Sequence, residues 1–174
     1  MELYKVVNNI RKTYNPQSGK VYPWEDYLQE GIHSLNNEEL ECHRPKEDKL
    51  FFTVGEKNVI EVNHPEDPAN IGRRKGPILH FGAIGGGEKL IKDETIRQKL
   101  SDRFGIIGFD SDVDQVMESI DGNRKESFII IRAIADYYDG TTSKEWQPYA
   151  ALCAAAFTKT LLCALPETIK SPIY

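Results

Sequence analysis

The stretch that decides the fold is TSKEWQPYAALCAAAFTKTLL, residues 142–162, because it has the pattern of one long helix. Its first four residues, TSKE, form a capping box, in which side chains bond the free backbone N–H groups of a first helical turn. The apolar residues that follow recur at helical spacing and share one stripe: Trp146, Tyr149, Ala150, Cys153, Ala154, Phe157 and Leu161. Because the alanines allow a close approach, we expect a helix over 143–164 that packs across a β-sheet.

Three apolar runs upstream of this helix are strand candidates. Residues 127–135 are nearly all apolar and β-branched, as expected of a strand that is covered on both faces. Shorter runs over 77–84 and 105–109 lead us to expect three neighbouring strands in one sheet. Helices are predicted between them over 93–103 and 113–120. Strands that alternate with helices of this length indicate an α/β class, with layers of helices around a central sheet.

The first third of the chain has a different pattern. Helical periodicity predicts amphipathic helices over 2–14 and 24–35. Two short β-prone runs follow, over 50–54 and 59–62, and they are compatible with a β-hairpin. This part of the chain therefore precedes the predicted alternation of strands and helices.

Composition and charge restrict the classes of function. The 174 residues are 40% apolar and 28% charged, as in an ordinary globular domain. The net charge of −5 argues against a nucleic-acid partner, which normally requires a basic face. The three cysteines have no CxxC spacing, so neither a disulfide framework nor a zinc site is indicated. No apolar run approaches the roughly 18 residues that span a bilayer, and no signal peptide is visible, so we expect a cytoplasmic protein without a membrane partner.

Polar residues and glycines follow all three predicted strands. They are Asp136 after 127–135, Asp110-Ser111-Asp112 after 105–109, and Gly85-Gly86-Gly87 after 77–84. Ligands of open α/β sheets bind beyond the carboxyl ends of the strands, where burial can raise the pKa of a carboxyl group into the range of a general acid. Simpler roles stay open, because an aspartate at a strand end is often a turn residue or a helix cap. The residues alone predict an α/β domain with an acidic crevice.

Two long motifs resemble the nucleoside phosphorylase/nucleosidase superfamily. IRAIADYYDGTTSKEWQPYAALCAAAFTKTLL, residues 131–162, is similar to the closing strand, loop and helix of that domain, in the version fused to signalling and immune-receptor proteins. PILHFGAIGGGEKLIKDETIRQKLSDRFGIIGFDSD, residues 77–112, is similar to the stretch that ends in FEME in the family. RPKEDKLFF, residues 44–52, resembles a preceding RPxxDxLF. The resemblance implies one nucleoside phosphorylase-like domain over 1–174, with a helical and loop preamble (1–76) and an α/β core (77–165).

The resemblance also implies an activity and a set of site residues. The family cleaves the N-glycosidic bond of nucleosides, so purine nucleosides or nucleotides are the expected ligands. Phosphate is a candidate co-substrate, and no other cofactor is expected. Asp136 would serve purine N7 as an acid or hydrogen-bond donor, and Asp112 would hold the ribose hydroxyls. The remaining expected substrate-binding residues are Asp110, Leu90, Ile91, Gly86 and Gly87.

This chain departs from the family pattern in ways that leave a second function open. FEME is replaced by Phe109-Asp110-Ser111-Asp112, so both carboxylates are one methylene shorter. The first half of the family domain, with its phosphate-binding arginine, would precede Met1. A sheet without its first strands has unpaired backbone groups, so we expect a homo-oligomer or a partner that completes the sheet. The alternative function is a catalytically degenerate module for nucleoside sensing or protein association.

Overall fold

Five α-helices and two small sheets are formed by the residues that the computed structural model describes, which are 2–14, 22–37, 42–54, 58–64, 76–87, 94–123, 128–137 and 144–167. In chain order the elements are α1 (Glu2–Thr13), α2 (Pro23–Asn37), β1 (Leu50–Val54), β2 (Asn58–Val62), β3 (Ala83–Gly86), α3 (Glu94–Phe104), β4 (Ile106–Asp110), α4 (Val113–Gly122) and α5 (Trp146–Ala164). This content confirms the α/β class predicted from the sequence. None of these helices combines the length and the apolar character needed to cross a membrane.

The chain divides into two compact units. The first unit comprises Met1–Pro77 and Ile130–Tyr174, and it contains α1, α2, the β1–β2 hairpin and α5. The second unit is the continuous segment Ile78–Ile129, which contains β3, α3, β4 and α4. The last of the described helices, α5, therefore belongs to the same unit as α1 and α2.

The core of the first unit lies where α2 and α5 pack together. Trp24 and Leu28 on α2 and Phe157 and Leu161 on α5 are all buried. The Trp24 indole meets the Phe157 ring edge-on, with 5.6 Å between the ring centroids. Each large apolar side chain buried in this way contributes roughly 1.5–3 kcal/mol to folding. The long helix predicted from its apolar stripe is confirmed, and within its unit it contacts α2 and α1.

The start of α5 differs from the prediction. The helix begins at Trp146 rather than at residue 143, and the side chain of Glu145, at the N-cap, makes no capping hydrogen bond. Residues 142 and 143 of the predicted capping box lie outside the described residues. The close approach expected of this helix is present, because a Cβ atom on Gly31 of α2 would lie 2.7 Å from Cδ1 of Leu152. The expected partner was a β-sheet, but at this point α5 packs against a helix, α2.

The two β-prone runs in the first third of the chain form a β-hairpin, as the sequence allowed. β1 and β2 are antiparallel, with Leu50 opposite Val62 and Phe52 opposite Ile60. Because side chains alternate between the faces of a strand, Phe52, Val54 and Ile60 share one face, and all three are exposed. The same register, continued beyond the ends of the strands, brings the residues before β1 next to those after β2.

The second unit contains a parallel pair of strands. β3 and β4 pair in parallel and are connected through α3, and α4 follows β4 directly. β3 begins at Ala83 and ends at Gly86, so it lies later in the sequence than the predicted 77–84. A Cβ atom on Gly85 would come within 2.7 Å of the Phe109 ring, so glycine here lets the Phe109 side chain lie over β3.

The prediction of a covered strand over 127–135 was wrong. Residues 128–137 form neither a helix nor a strand, and the described sheet of the second unit consists of β3 and β4. Phe128, Ile129 and Ile134 are exposed, whereas a central strand would be covered on both faces. A run of β-branched residues fits a strand, but pairing also needs a neighbouring strand, which the local sequence does not specify. The expected three-stranded sheet is thus a two-stranded one.

Candidate functional site

The carboxyl ends of β3 and β4 bring together three of the residues predicted to bind substrate. The parallel register places Gly86 opposite Asp110, the last residue of β4. Gly87 follows directly, with a φ of 115°, a backbone conformation that side chains other than glycine rarely adopt. The second unit therefore brings Gly86, Gly87 and Asp110 together at the carboxyl edge of its sheet.

Gly86 also lies against the first turn of α4. A Cβ atom at this position would collide with Cγ1 of Val113, and it would lie 3.2 Å from Oδ1 of Asp114. Val113 is itself buried, so it cannot turn outward without losing its contacts. Glycine at residue 86 thus allows the end of β3 to contact the N-terminus of a helix, where backbone N–H groups have no partner inside the helix.

Asp110 has a local structural role. Its Oδ1 accepts a hydrogen bond of 2.8 Å from the backbone N–H of Asp112. A side-chain bond to the backbone two residues on is an Asx turn, which reverses the chain between β4 and α4. The alternative that a strand-end aspartate is a turn residue therefore holds for Asp110.

Asp112 precedes α4 and is exposed. It occupies the N-cap position, with φ −107° and ψ 0°, but its side chain makes no capping hydrogen bond. A capping aspartate would normally bond a backbone N–H group in the first turn and satisfy it. The alternative that the Asp112 carboxylate caps the helix is not supported. The carboxylate is presented to solvent at the N-terminus of α4.

Asp136 lies in the first unit, within the irregular segment 128–137, and its side chain is exposed. The burial expected for a carboxylate at the end of a covered strand is absent, because that strand is absent. The neighbouring residue, Tyr137, donates a hydrogen bond of 2.8 Å from its hydroxyl group to Oδ1 of Asp48. Asp136 is thus next to a side-chain contact that joins distant parts of the sequence.

A cluster of Asp48, His64 and Tyr137 is the feature of the first unit that sequence reasoning missed. Nε2 of His64 lies 2.9 Å from the backbone carbonyl oxygen of Asp48 and 3.4 Å from its Oδ1. The rings of His64 and Tyr137 are tilted by 54°, with 5.2 Å between their centroids. Asp48 belongs to the motif RPKEDKLFF, which was the available signal. The structure adds that this motif contacts the motif of residues 131–162.

Two groups in the interior of the first unit have strongly shifted pKa values. Burial raises the pKa of the Cys153 thiol to about 11. Burial also raises the pKa of the neighbouring Tyr149 hydroxyl group to about 12. A thiol in such surroundings is protonated at neutral pH and is a poor nucleophile. Cys153 is half-buried on the α5 stripe, and its raised pKa argues against a role as a nucleophile.

The last two predicted site residues, Leu90 and Ile91, lie outside the described residues. Within the described ranges, no group of three or more His, Cys, Asp or Glu side chains is arranged to hold a metal ion. Of the predicted set, Gly86, Gly87, Asp110 and Asp112 are in the second unit and Asp136 is in the first.

The chain is similar to part of a nucleotide-binding leucine-rich repeat (NLR)-like protein from Hyaloscypha variabilis. The two sequences are 32% identical over 130 residues, which is 72% of this chain but 12% of the length of that relative. The similarity therefore concerns one segment of a much longer protein. No family model matches the chain. No solved structure matches it either.

Proposed function

We propose that this chain is a purine nucleoside-recognising module of an NLR-like protein and that it cleaves the N-glycosidic bond of the nucleoside it binds. The main support is the meeting of Gly86, Gly87 and Asp110 at the carboxyl edge of β3 and β4, with the exposed carboxylate of Asp112 at the start of α4. These residues belong to a motif that resembles the superfamily. The NLR-like relative adds support, because the resemblance is to the version fused to signalling and immune-receptor proteins.

The ribose is the part of the ligand that suits this edge. A carboxylate can accept hydrogen bonds from two neighbouring hydroxyl groups, and such charge-assisted bonds are stronger than neutral ones. As the bond between C1′ and the purine breaks, the ribose gains positive charge. A negative charge fixed beside it, as proposed for Asp112, stabilises that transition state more than the ground state.

The charge of the edge favours a nucleoside over a nucleotide. Asp110, Asp112 and Asp114 are three carboxylates within one turn and the start of α4. Two like charges 4 Å apart repel by about 1 kcal/mol in water and by more near a protein surface. The N-terminus of a helix supplies only about half an elementary charge of opposite sign. Adenosine or inosine is therefore expected to bind here more tightly than ATP.

We also propose, from the motif that contains it and not from any geometry, that Asp136 is the acid at the purine. Its side chain is exposed in the free chain, so the bound purine would have to cover the carboxyl group for it to hold a proton, which it would then give to N7 while the electrons of the glycosidic bond move into the ring. Water or phosphate would then add to C1′. General acids of this kind accelerate a reaction typically 10²- to 10⁴-fold.

The experiment that tests the proposal is an assay for free purine base. The purified chain is incubated with adenosine, inosine, methylthioadenosine and ATP, each with and without phosphate, and calorimetry is run in parallel. Asp112→Ala is expected to weaken nucleoside binding by about 1–3 kcal/mol, because the ribose hydroxyls lose a charged acceptor. Asp121→Ala is the matched control, since it removes an exposed carboxylate from the far end of the same helix. Equal affinity in both variants would contradict the role of Asp112.

The second candidate function is nucleoside sensing without cleavage. It is favoured by the Asx turn of Asp110, which commits one of the two family carboxylate positions to backbone structure. Sensing predicts heat of binding without any free base, whereas cleavage predicts both. If neither heat nor free base were observed with any of the four ligands, both functions would be excluded and a protein-association module would remain.

A further inference from the structure

The segment that carries Asp136 has no strand to hold it in place. Residues 128–137 make no helix and no strand pairing. An acid must nevertheless be held close to the correct geometry, since a misplacement of about 1 Å can lower a rate by about 100-fold. Asp136 takes part in an interaction of its own, and contacts of its neighbours in the chain also hold it in place.

One such contact is that of Tyr137. Its hydroxyl group donates to Oδ1 of Asp48 at 2.8 Å, across 89 positions of sequence. The Cα atoms of consecutive residues are about 3.8 Å apart, so a fixed Tyr137 restrains the backbone of Asp136 directly.

The hairpin holds the acceptor of that bond. Leu50 pairs with Val62, and the antiparallel register continued by two residues places Asp48 opposite His64. Nε2 of His64 lies 2.9 Å from the carbonyl oxygen of Asp48, and since a carbonyl can only accept, Nε2 carries the proton. Asp48 therefore lies beside His64 at the end of the β1–β2 hairpin, where its carboxylate accepts the bond from Tyr137.

A second bond joins the start of α5 to the same segment. Nε1 of Trp146, the first residue of α5, donates to the backbone carbonyl oxygen of Glu47 at 3.2 Å. Tyr137 and Trp146 therefore bond the adjacent residues Asp48 and Glu47.

We propose that Asp48, supported by His64, is a positioning residue that holds Asp136 in place through the hydroxyl group of Tyr137. This inference rests on the proposed role of Asp136 as the acid. Asp48 itself does not touch the nucleoside in this proposal. Its effect is on the rate of the chemical step, because it acts on the placement of the acid and leaves the ribose contacts unchanged.

The test compares variants that remove one hydroxyl group each. Tyr137→Phe is expected to lower kcat for base release by about tenfold, with KM changed by less than about twofold. Tyr27→Phe is the matched control, because it removes a tyrosine hydroxyl group of the same unit that donates to Sγ of Cys163. Asp48→Ala should equal Tyr137→Phe, the double variant should fall no further, and Asp48→Asn, which keeps an acceptor, should retain most of the rate. A kcat in Tyr137→Phe equal to that of the control would overturn the inference.

A readout without catalysis separates this inference from the proposed function. Hydrogen–deuterium exchange is measured on the peptide that covers residues 128–137. If the wild-type chain released no base, the proposed function would fail, but faster exchange in Tyr137→Phe and Asp48→Ala than in Tyr27→Phe would still support the anchoring of Asp136. Exchange equal in all four proteins, the wild type included, would refute the anchoring whether or not the chain is an enzyme.

Discussion

Replacing Gly86 by alanine tests the contact between the end of β3 and the start of α4. The added methyl group would collide with Cγ1 of the buried Val113, while Oδ1 of Asp114 would lie 3.2 Å away. Cγ1 is attached directly to Cβ of a β-branched side chain, so it has little freedom to move aside. Overpacking of this kind costs typically about 1–3 kcal/mol, and we expect Gly86→Ala to lower the free energy of unfolding by that amount.

The matched control is the same substitution at Gly122, the last residue of α4. A Cβ atom there would meet nothing within 4 Å. Since alanine favours a helix more than glycine does, Gly122→Ala is expected to raise the free energy of unfolding by about 0.4–1 kcal/mol. The two changes therefore have opposite signs for the same chemical alteration.

Urea denaturation with a constant m value measures both effects as shifts of the midpoint. The collision can be located with Val113→Ala, which removes the methyl group that Gly86→Ala would strike. The double variant should then be destabilised by less than the sum of the single variants. A Gly86→Ala chain as stable as the wild type, or additive losses in the double variant, would refute the contact described between β3 and α4.

Three further predictions follow from the same structure. Asp136→Asn keeps the shape of the side chain but cannot act as an acid, so the rate of base release should fall by roughly 10²- to 10⁴-fold. The affinity for the nucleoside should change less. An unchanged rate would exclude the acid role. The free energy of unfolding should fall as pH rises through the alkaline range. The folded state raises the pKa of Cys153 from 9.0 to about 11 and that of Tyr149 from 10.0 to about 12. Between these values the unfolded state loses protons that the folded state keeps, so the unfolded state becomes relatively more stable. A melting temperature that stayed constant between pH 8 and 11, instead of falling, would contradict those shifts. Self-association is expected because Phe52, Val54 and Ile60 expose one apolar face of the hairpin, and light scattering that gives one monomer mass at all concentrations would count against it.

Local periodicity predicted those elements whose signal lies within a few residues. The helices α1, α2 and α5 each carry an apolar stripe, and an amphipathic stripe needs only a core to face. The hairpin likewise pairs two runs that are close in sequence. Residues 128–135 carried an equally strong local signal, but a strand needs a partner from elsewhere in the chain, and the described residues provide none.

For the candidate site, too, one contact could be anticipated from the sequence and another could not. The meeting of Gly86 with Asp110 follows from the parallel pairing of β3 and β4, and the rule that parallel strands end at one edge was enough to anticipate it. The bond between Tyr137 and Asp48 joins residues 89 positions apart. Neither residue type nor spacing indicates such a contact, because it depends on where the hairpin packs within the first unit.

The packing of α5 on α2 has a consequence for the order of events during synthesis. Trp24 and Leu28 leave the ribosome long before Phe157 and Leu161, which cover them in the finished molecule. At about 5–20 residues per second, the apolar face of α2 waits about 6–25 s for its partner helix. The second unit, Ile78–Ile129, is continuous and can form during that interval. A nascent chain that stalls before residue 146 therefore presents the bare face of α2 to chaperones and proteases. The synthesis of α5 is the step that allows the first unit to reach its native state.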